Sequence, residues 1–373
     1  MSLLLAIGAA TLLGVHLASV AFYLHRLNSA RRLPGGIGQP HVTLLRPVCG
    51  LDPFDAETLE SSFTQDYPDY EVIFCAQAAD DPAIPLLRRL MARYPQIPAR
   101  LMIGFDAVTG NPKLNNLWKG WNAAASDWIC TTDANLLLPP DYLTTVVGSW
   151  GAGSGLVSSP PLGIRPEGWG GHLECAVLNS NQARLQYASD SLGNGYAQGK
   201  TMFFNRALVD RAGGFTALGA YMAEDATATR MIRSLGLEVT LAPLPFAQPI
   251  GKRSLRQVWD RQLRWSRVRR DAFPGLFALE FLNGAFVPFL LAMLAAGPLF
   301  ALAYLAVWYL AEAYLIRRAG WPGGWRDLAV LPLRDLMLPA LWLATFARRG
   351  FEWRGTTMTK PEPDRKGQMS VAE

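Results

Sequence analysis

The sequence predicts an α/β domain built on a mainly parallel sheet, set between an N-terminal transmembrane anchor and C-terminal membrane helices. Three observations predict it. Between positions 41 and 275, β-rich runs alternate with helical ones every roughly 20–30 residues, the pattern of strands joined by crossover helices. An apolar run of bilayer length precedes that region and further apolar runs come after it. Half of the 373 residues are hydrophobic and only 17% are charged, with a mean hydropathy of +0.12, a balance that leans toward the membrane class.

Residues 1–25 form the anchor. The stretch LLLAIGAATLLGVHLASVAFYL (3–24) holds no Asp, Glu, Lys or Arg, and as a helix it is long enough to cross a bilayer. A cleaved signal peptide, with Ser19 and Ala21 as its small-residue site, is the rival reading. It lacks the basic N-terminal flank, and the positive residues His25, Arg26, Arg31 and Arg32 come afterwards. Residues 26–40 are a basic linker, and positive charge there keeps the α/β domain in the cytoplasm.

Within 41–275, HVTLLRPV, YEVIFCAQ, ARLMIGF and DWICTTDANLLL read as strands. TLESSF, DDPAIPLLRRLMARYP and LNNLWKGWNAAAS read as the helices between them. In such sheets chemistry gathers at the carboxyl ends of the strands. Cys49, Cys75, Cys130 and Cys175 form no C-x-x-C or Cys/His cluster, so they read as reduced core thiols of a cytosolic compartment. Residues 276–373 are the C-terminal membrane region. Apolar runs at 279–295 and 297–316, divided by Gly297-Pro298, read as a helical hairpin. The last apolar stretch, LAVLPLRDLMLPALWLATFARRG, carries Arg334, Asp335 and two prolines. A third full span would place the basic tail outside, so this stretch reads as re-entrant or interfacial.

Four polar sites stand out, each with a plain structural alternative. Asp80-Asp81 in ADDPAI ends a strand, and Asp before Pro is also a common helix start. Asp133 and Asn135 in TTDAN sit two apart on an extended chain, so their oxygens share a side and suit a hard divalent cation completed by phosphates. The alternative there is a turn-forming Asx pair. Glu224-Asp225 in YMAEDATATR opens a helix, as a general base or as complement to its dipole. The run RQLRWSRVRR packs five arginines into positions 261–270. A guanidinium there can grip a diphosphate in bidentate fashion or lie on anionic lipid. Nucleic acid is disfavoured as a partner, because the cluster stands alone and abuts the membrane helices.

Taken in order, DDPAI, NPKLNNL, TTDAN, AEDATATR and RQLRW resemble the family 2-like processive and lipid glycosyltransferases with a GT-A (Rossmann-like) fold. More narrowly they resemble the ceramide glucosyltransferase family (family 21). RPVCGLDP, QDYPDYEV, ARLMIGF and RAGGF support this, and the resemblance covers about 41–271. It implies that Asp81 holds the uracil or ribose of a UDP-sugar and that Asp225 takes the acceptor's proton. Asp133, aided by Asn135, would bind the Mg2+ or Mn2+ bridging the diphosphate, although the usual second carboxylate is absent. The element Arg261-x-x-Arg264-Trp265 would steady the departing UDP, and Lys113 would make a further phosphate contact. Arg267, Arg269 and Arg270 would face the membrane. The implied reaction moves a hexose, most often glucose, to the primary hydroxyl of ceramide in an integral protein of the inner or cell membrane. A hopanoid or diacylglycerol acceptor is the alternative, and a polysaccharide synthase is disfavoured by the few apolar spans after Arg270. The chemistry is coherent on its own terms. One base and a neutralised leaving diphosphate give a single displacement, and hence inversion.

Overall fold

A computed structural model of the chain describes residues 2–29, 33–221 and 223–347 in full, and the backbone of Phe351–Trp353 and Thr356–Met358. Arg31, Arg32 and the side chains of the basic tail, which bear on topology, lie outside the described residues.

Nine strands organise the central region. They are β1 (Val42–Val48), β2 (Tyr70–Ala76), β3 (Ala99–Ile103), β4 (Trp128–Thr132), β5 (Ser154–Ser158), β6 (Pro161–Glu167), β7 (Thr201–Asn205), β8 (Glu238–Leu241) and β9 (Phe246–Lys252). Seven form one sheet in the order β3-β2-β1-β4-β7-β5-β8, while β6 and β9 pair separately. The four strands expected from sequence are β1 to β4, all parallel. Strand β7 runs antiparallel to both β4 and β5, which the sequence did not reveal.

Side-chain alternation along β1 and β2 explains the two-sided core. Val42, Leu44, Val72 and Phe74 enter one apolar cluster, and Leu45, Ile73 and Cys75 enter the other. The helix Pro112–Ala123 covers the second face at Gly120, where a Cβ would lie 2.4 Å from Leu45 Cδ1 and 2.5 Å from Cys75 Sγ. Cys75, Cys130 and Cys175 are buried as expected of core thiols, Cys49 is exposed instead, and no disulfide joins the four.

The N-terminal helix spans Ser2–Ser29, running four residues past the expected anchor. Its Val20 and Tyr23 join a cluster with Leu173, Tyr187, Leu315 and Trp321, so the anchor packs on the α/β domain and on the C-terminal helices together. Arg26 ties that contact: it reaches Asp190 at 2.5 Å and the carbonyls of Leu241 and Pro243 at 2.7 and 2.9 Å.

Among the described residues three helices are long and apolar enough to cross a membrane: Ser2–Ser29, Pro298–Ala319 and Trp325–Thr345. The last covers the stretch expected to be re-entrant. Its Arg334 is buried and donates to Glu312 Oε2 (3.0 Å), Asp335 Oδ1 (2.8 Å) and Ser180 Oγ (2.6 Å). The charge that argued against a span is thus cancelled inside the protein. The irregular segment falls earlier, where Pro274–Leu282 and Phe286–Ala296 meet at a 55° bend. Asp335 stabilises that break by accepting Ala285 N–H at 3.0 Å.

Candidate active site

The site forms where β1, β2 and β4 end and β7 begins. Arg46 of β1 is fully buried and donates to the carbonyls of Asp133 (2.8 Å), Ala134 (3.0 Å) and Leu136 (2.8 Å). A buried guanidinium needs such acceptors on all sides. It therefore fixes the turn after β4 and aims Asp133 outward. Sequence reasoning passed over Arg46, which reads only as the polar residue of an apolar strand.

Opposite, Asn111 caps the helix Pro112–Ala123, its side chain accepting from Lys113 N–H at 2.9 Å, with Pro112 at the first helical position. This cap sets Lys113 over the turn. Its Nζ lies 2.8 Å from Asp133 Oδ1, 2.8 Å from Glu224 Oε1 and 2.7 Å from the Gly199 carbonyl. Asn111 Nδ2 donates to the other Glu224 oxygen at 3.1 Å.

Antiparallel pairing of Thr132 with Thr201 brings Lys200 beside Asp133. The Lys200 carbonyl accepts Asp133 N–H at 3.3 Å and Thr132 Oγ1–H at 2.9 Å. Its Nζ lies 2.9 Å from Asp133 Oδ2 and 2.9 Å from Asn135 Oδ1. Asp133 and Asn135 thus both reach Lys200, but from a turn, closed by Leu136 N–H on the Asp133 carbonyl at 3.2 Å, and not from the extended chain that the two-residue spacing assumed. Lys200 was missed from sequence; it lies 67 positions from Asp133 (200 minus 133), and only the strand pairing joins them.

Asp225 opens the helix Glu224–Ser234. It accepts Gly199 N–H at 3.0 Å and Ala226 N–H at 2.7 Å. Gly199 is a close-approach glycine, since a Cβ there would lie 2.7 Å from Glu224 Oε1 and 3.2 Å from Lys113 Nζ. Burial and then the neighbouring Glu224 raise the Asp225 pKa to about 6. Burial works against the Lys113 ammonium, but Asp133 and Glu224 outweigh it and hold its pKa well above the usual lysine value. Burial also works against the Asp133 carboxylate, and Lys113 and Lys200 together keep it far below the usual range. Lys200 is lowered by burial, with Arg261 adding to the effect and Asp133 opposing it.

Asp81 follows β2 and accepts Gly50 N–H and Ala83 N–H, both at 2.9 Å. It joins the β1 and β2 loops and closes a turn onto Ala83, but it does not cap the helix Ile84–Arg93, whose N-cap is Ala83 with no side-chain cap, so the helix-start alternative does not hold.

The arginine helix spans Leu255–Ala272 and starts with a Ser254/Gln257 capping box. Arg261 pairs with the buried Glu174 at 3.0 Å. Trp265 packs against Cys175, Leu178 and Ile250, and Arg264 lies one helical step from Arg261 on the same face. The expected lipid-facing role of Arg269 and Arg270 meets a different arrangement. Arg269 Nε donates to both Glu280 oxygens at 2.9 and 3.1 Å. Arg270 bonds the Thr345 carbonyl and pairs with Asp271 at 3.2 Å. These two guanidiniums join the arginine helix to the membrane helices, because partly buried positions demand local counter-charges.

Could a divalent ion fit? Among the described residues, no group of three or more His, Cys, Asp or Glu gathers to hold one. Asp133 and Asn135 supply one carboxylate and one amide oxygen on a common side. Lys113 and Lys200 hold those oxygens in this structure, and once Lys200 is displaced the set suits a hard cation whose remaining positions are filled by phosphate oxygens and water.

The α/β sheet with its flanking membrane helices is the fold of a GT-A glycosyltransferase. A mannosyltransferase from Pyrobaculum calidifontis, solved with GDP-Man and Mn2+, shares that fold. It has a TM-score of 0.55 and 20% identity over 92% of this chain and 98% of that one. Residues 11–362 match the model of glycosyl transferase family 21, and the chain belongs to that family. It is similar to ceramide glucosyltransferase 3 of Caenorhabditis elegans, 25% identical over 274 residues, which are 73% of this chain and 59% of the relative. The ceramide glucosyltransferase of Komagataella phaffii is 36% identical over 126 residues, 31% of this chain and 25% of that protein. The chain thus spans less than two thirds of the length of these relatives.

Proposed function

We propose that the chain is an inverting membrane glycosyltransferase that moves a hexose, glucose by preference, from a UDP-sugar to the primary hydroxyl of ceramide, giving a β-glycosylceramide. The observation that carries this reading is the partly buried Asp225, with a pKa of about 6, held at Gly199 beside the Lys113–Asp133–Lys200 cluster. A carboxylate mostly ionised at neutral pH yet desolvated is a competent proton acceptor. A cation-rich pocket next to it suits a leaving diphosphate.

In this reading Asp225 accepts the proton of the acceptor hydroxyl as its oxygen bonds to the anomeric carbon, and the bond to the UDP oxygen breaks. Lys113, Lys200 and Arg264 meet the charge that develops on that oxygen, with Trp265 and Arg261 seating the helix that carries Arg264. Asp81 contacts the uracil or ribose. Asp133 and Asn135 would hold Mg2+ or Mn2+, which would supply further neutralisation of the diphosphate. The membrane helices hold the catalytic domain on the cytoplasmic side of the inner or cell membrane, next to cytosolic donor and bilayer-embedded acceptor.

The test is lipid analysis of a glycolipid-free host expressing the full chain with sphingolipid precursor supplied. A new β-hexosylceramide that disappears with Asp225→Asn supports the reading. Sugar on a hopanoid or diacylglycerol instead would move the acceptor, and no glycolipid under any feeding would overturn the reading.

A further inference from the structure

Lys113 and Lys200 grip the same carboxylate on unequal terms. Lys113 has two carboxylates and a carbonyl within 2.8 Å. Lys200 has one Asp133 oxygen and the neutral amide of Asn135, both at 2.9 Å. Its backbone is fixed by the bonds of its carbonyl to Asp133 N–H and Thr132 Oγ1–H, so only the flexible four-carbon stem is free to swing. A carboxylate at position 135 would hold the ammonium with a second charge; an asparagine does not.

The charges around this point are nearly balanced, with Lys113 and Lys200 against Asp133 and Glu224. A divalent cation arriving alone would sit beside two ammoniums and find both Asp133 oxygens occupied. A diphosphate arriving alone would sit beside Asp133, Glu224 and Asp225. Arriving together, the two leave the net charge of the site unchanged, and the unfavourable Coulomb terms of each cancel.

We propose that Lys200 leaves Asp133 and Asn135 for the donor's diphosphate, so that the divalent ion gains its Asp133 oxygen only when nucleotide binds. Lys200 thereby couples metal to donor and keeps the empty site from holding metal. The inference rests on the donor-site assignment above.

The experiment is a Mn2+ titration of the purified full chain in detergent, read by the loss of the free-ion EPR signal, with and without UDP. Without UDP, wild type should bind Mn2+ at least ~10-fold more weakly than Lys200→Met, and UDP should tighten wild type ~100-fold but the variant much less. In chelator, Lys200→Met should bind UDP more weakly than wild type. Lys200→Gln, which keeps a polar side chain, should follow Lys200→Met and guards against a folding defect in the first variant. Equal Mn2+ affinity of wild type and both variants without UDP overturns the proposal, as does a wild type indifferent to UDP. If the proteins bind UDP but never Mn2+, the coupling falls while the donor site stands. If none binds UDP, the donor-site assignment itself fails.

Discussion

Asp225 has a pKa of about 6 against an ordinary 3.8, raised first by burial and second by Glu224. Below about pH 6 it carries the proton that it must instead accept, so transfer should fall in acid. At pH 7 about nine-tenths of the carboxylate is ionised and at pH 5 about one-eleventh, so kcat/KM should drop roughly tenfold between them. Glu224→Gln removes the adjacent like charge and also loosens Lys113, whose positive field favours ionised Asp225. Losing the like charge lowers the midpoint, while burial keeps it above the ordinary value. At pH 5 the variant should then retain a clearly larger share of its plateau than wild type, which keeps about a tenth. The assay is initial-rate transfer of labelled hexose from UDP-hexose into extractable lipid, in detergent micelles at fixed ionic strength and subsaturating acceptor. A wild-type acid limb near pH 4, or one that Glu224→Gln leaves in place, would refute the assignment of Asp225 as the base in this environment.

Further outcomes can be checked. Asp225→Asn should cut transfer by ~10²–10⁴-fold while isothermal titration finds UDP affinity little changed, because only proton acceptance is removed. Arg334→Met should destabilise the chain by about 3–5 kcal/mol by stranding Glu312 and Asp335, seen as a lower Tm in detergent. Adding Glu312→Gln and Asp335→Asn should restore most of that loss. Arg264→Lys should lower kcat with modest change in Tm, since an ammonium lacks the paired donors for a diphosphate. Arg269→Lys should instead lower Tm, because it gives up the two-oxygen grip on Glu280. A reporter fused after residue 40 should read as cytoplasmic, and an extracytoplasmic signal would cut the site off from cytosolic UDP-sugar.

The residues of the candidate site stood out along the chain because they sit at strand and helix ends. Asp133 follows β4, Asp225 opens a helix and Lys113 follows an Asn-Pro cap, positions that short-range patterns expose directly. The lipid-facing role read into Arg269 and Arg270 went astray for an equally physical reason. A run of arginines shows its charge but not its partners, and Glu280 and Thr345 are supplied by segments further along.

Periodicity and local polarity are properties of neighbouring residues, so the α/β alternation, the flanking membrane helices and the order of the three aspartates could all be read from the chain. Three other features needed the folded molecule: β7 runs antiparallel and delivers Lys200 to Asp133, Arg46 braces the turn carrying that carboxylate, and Arg334 is neutralised by Glu312. Each of these pairs residues far apart in the chain, in a buried setting where a charge is tolerated only when a specific counter-charge or carbonyl meets it. Nothing in the local sequence names that partner.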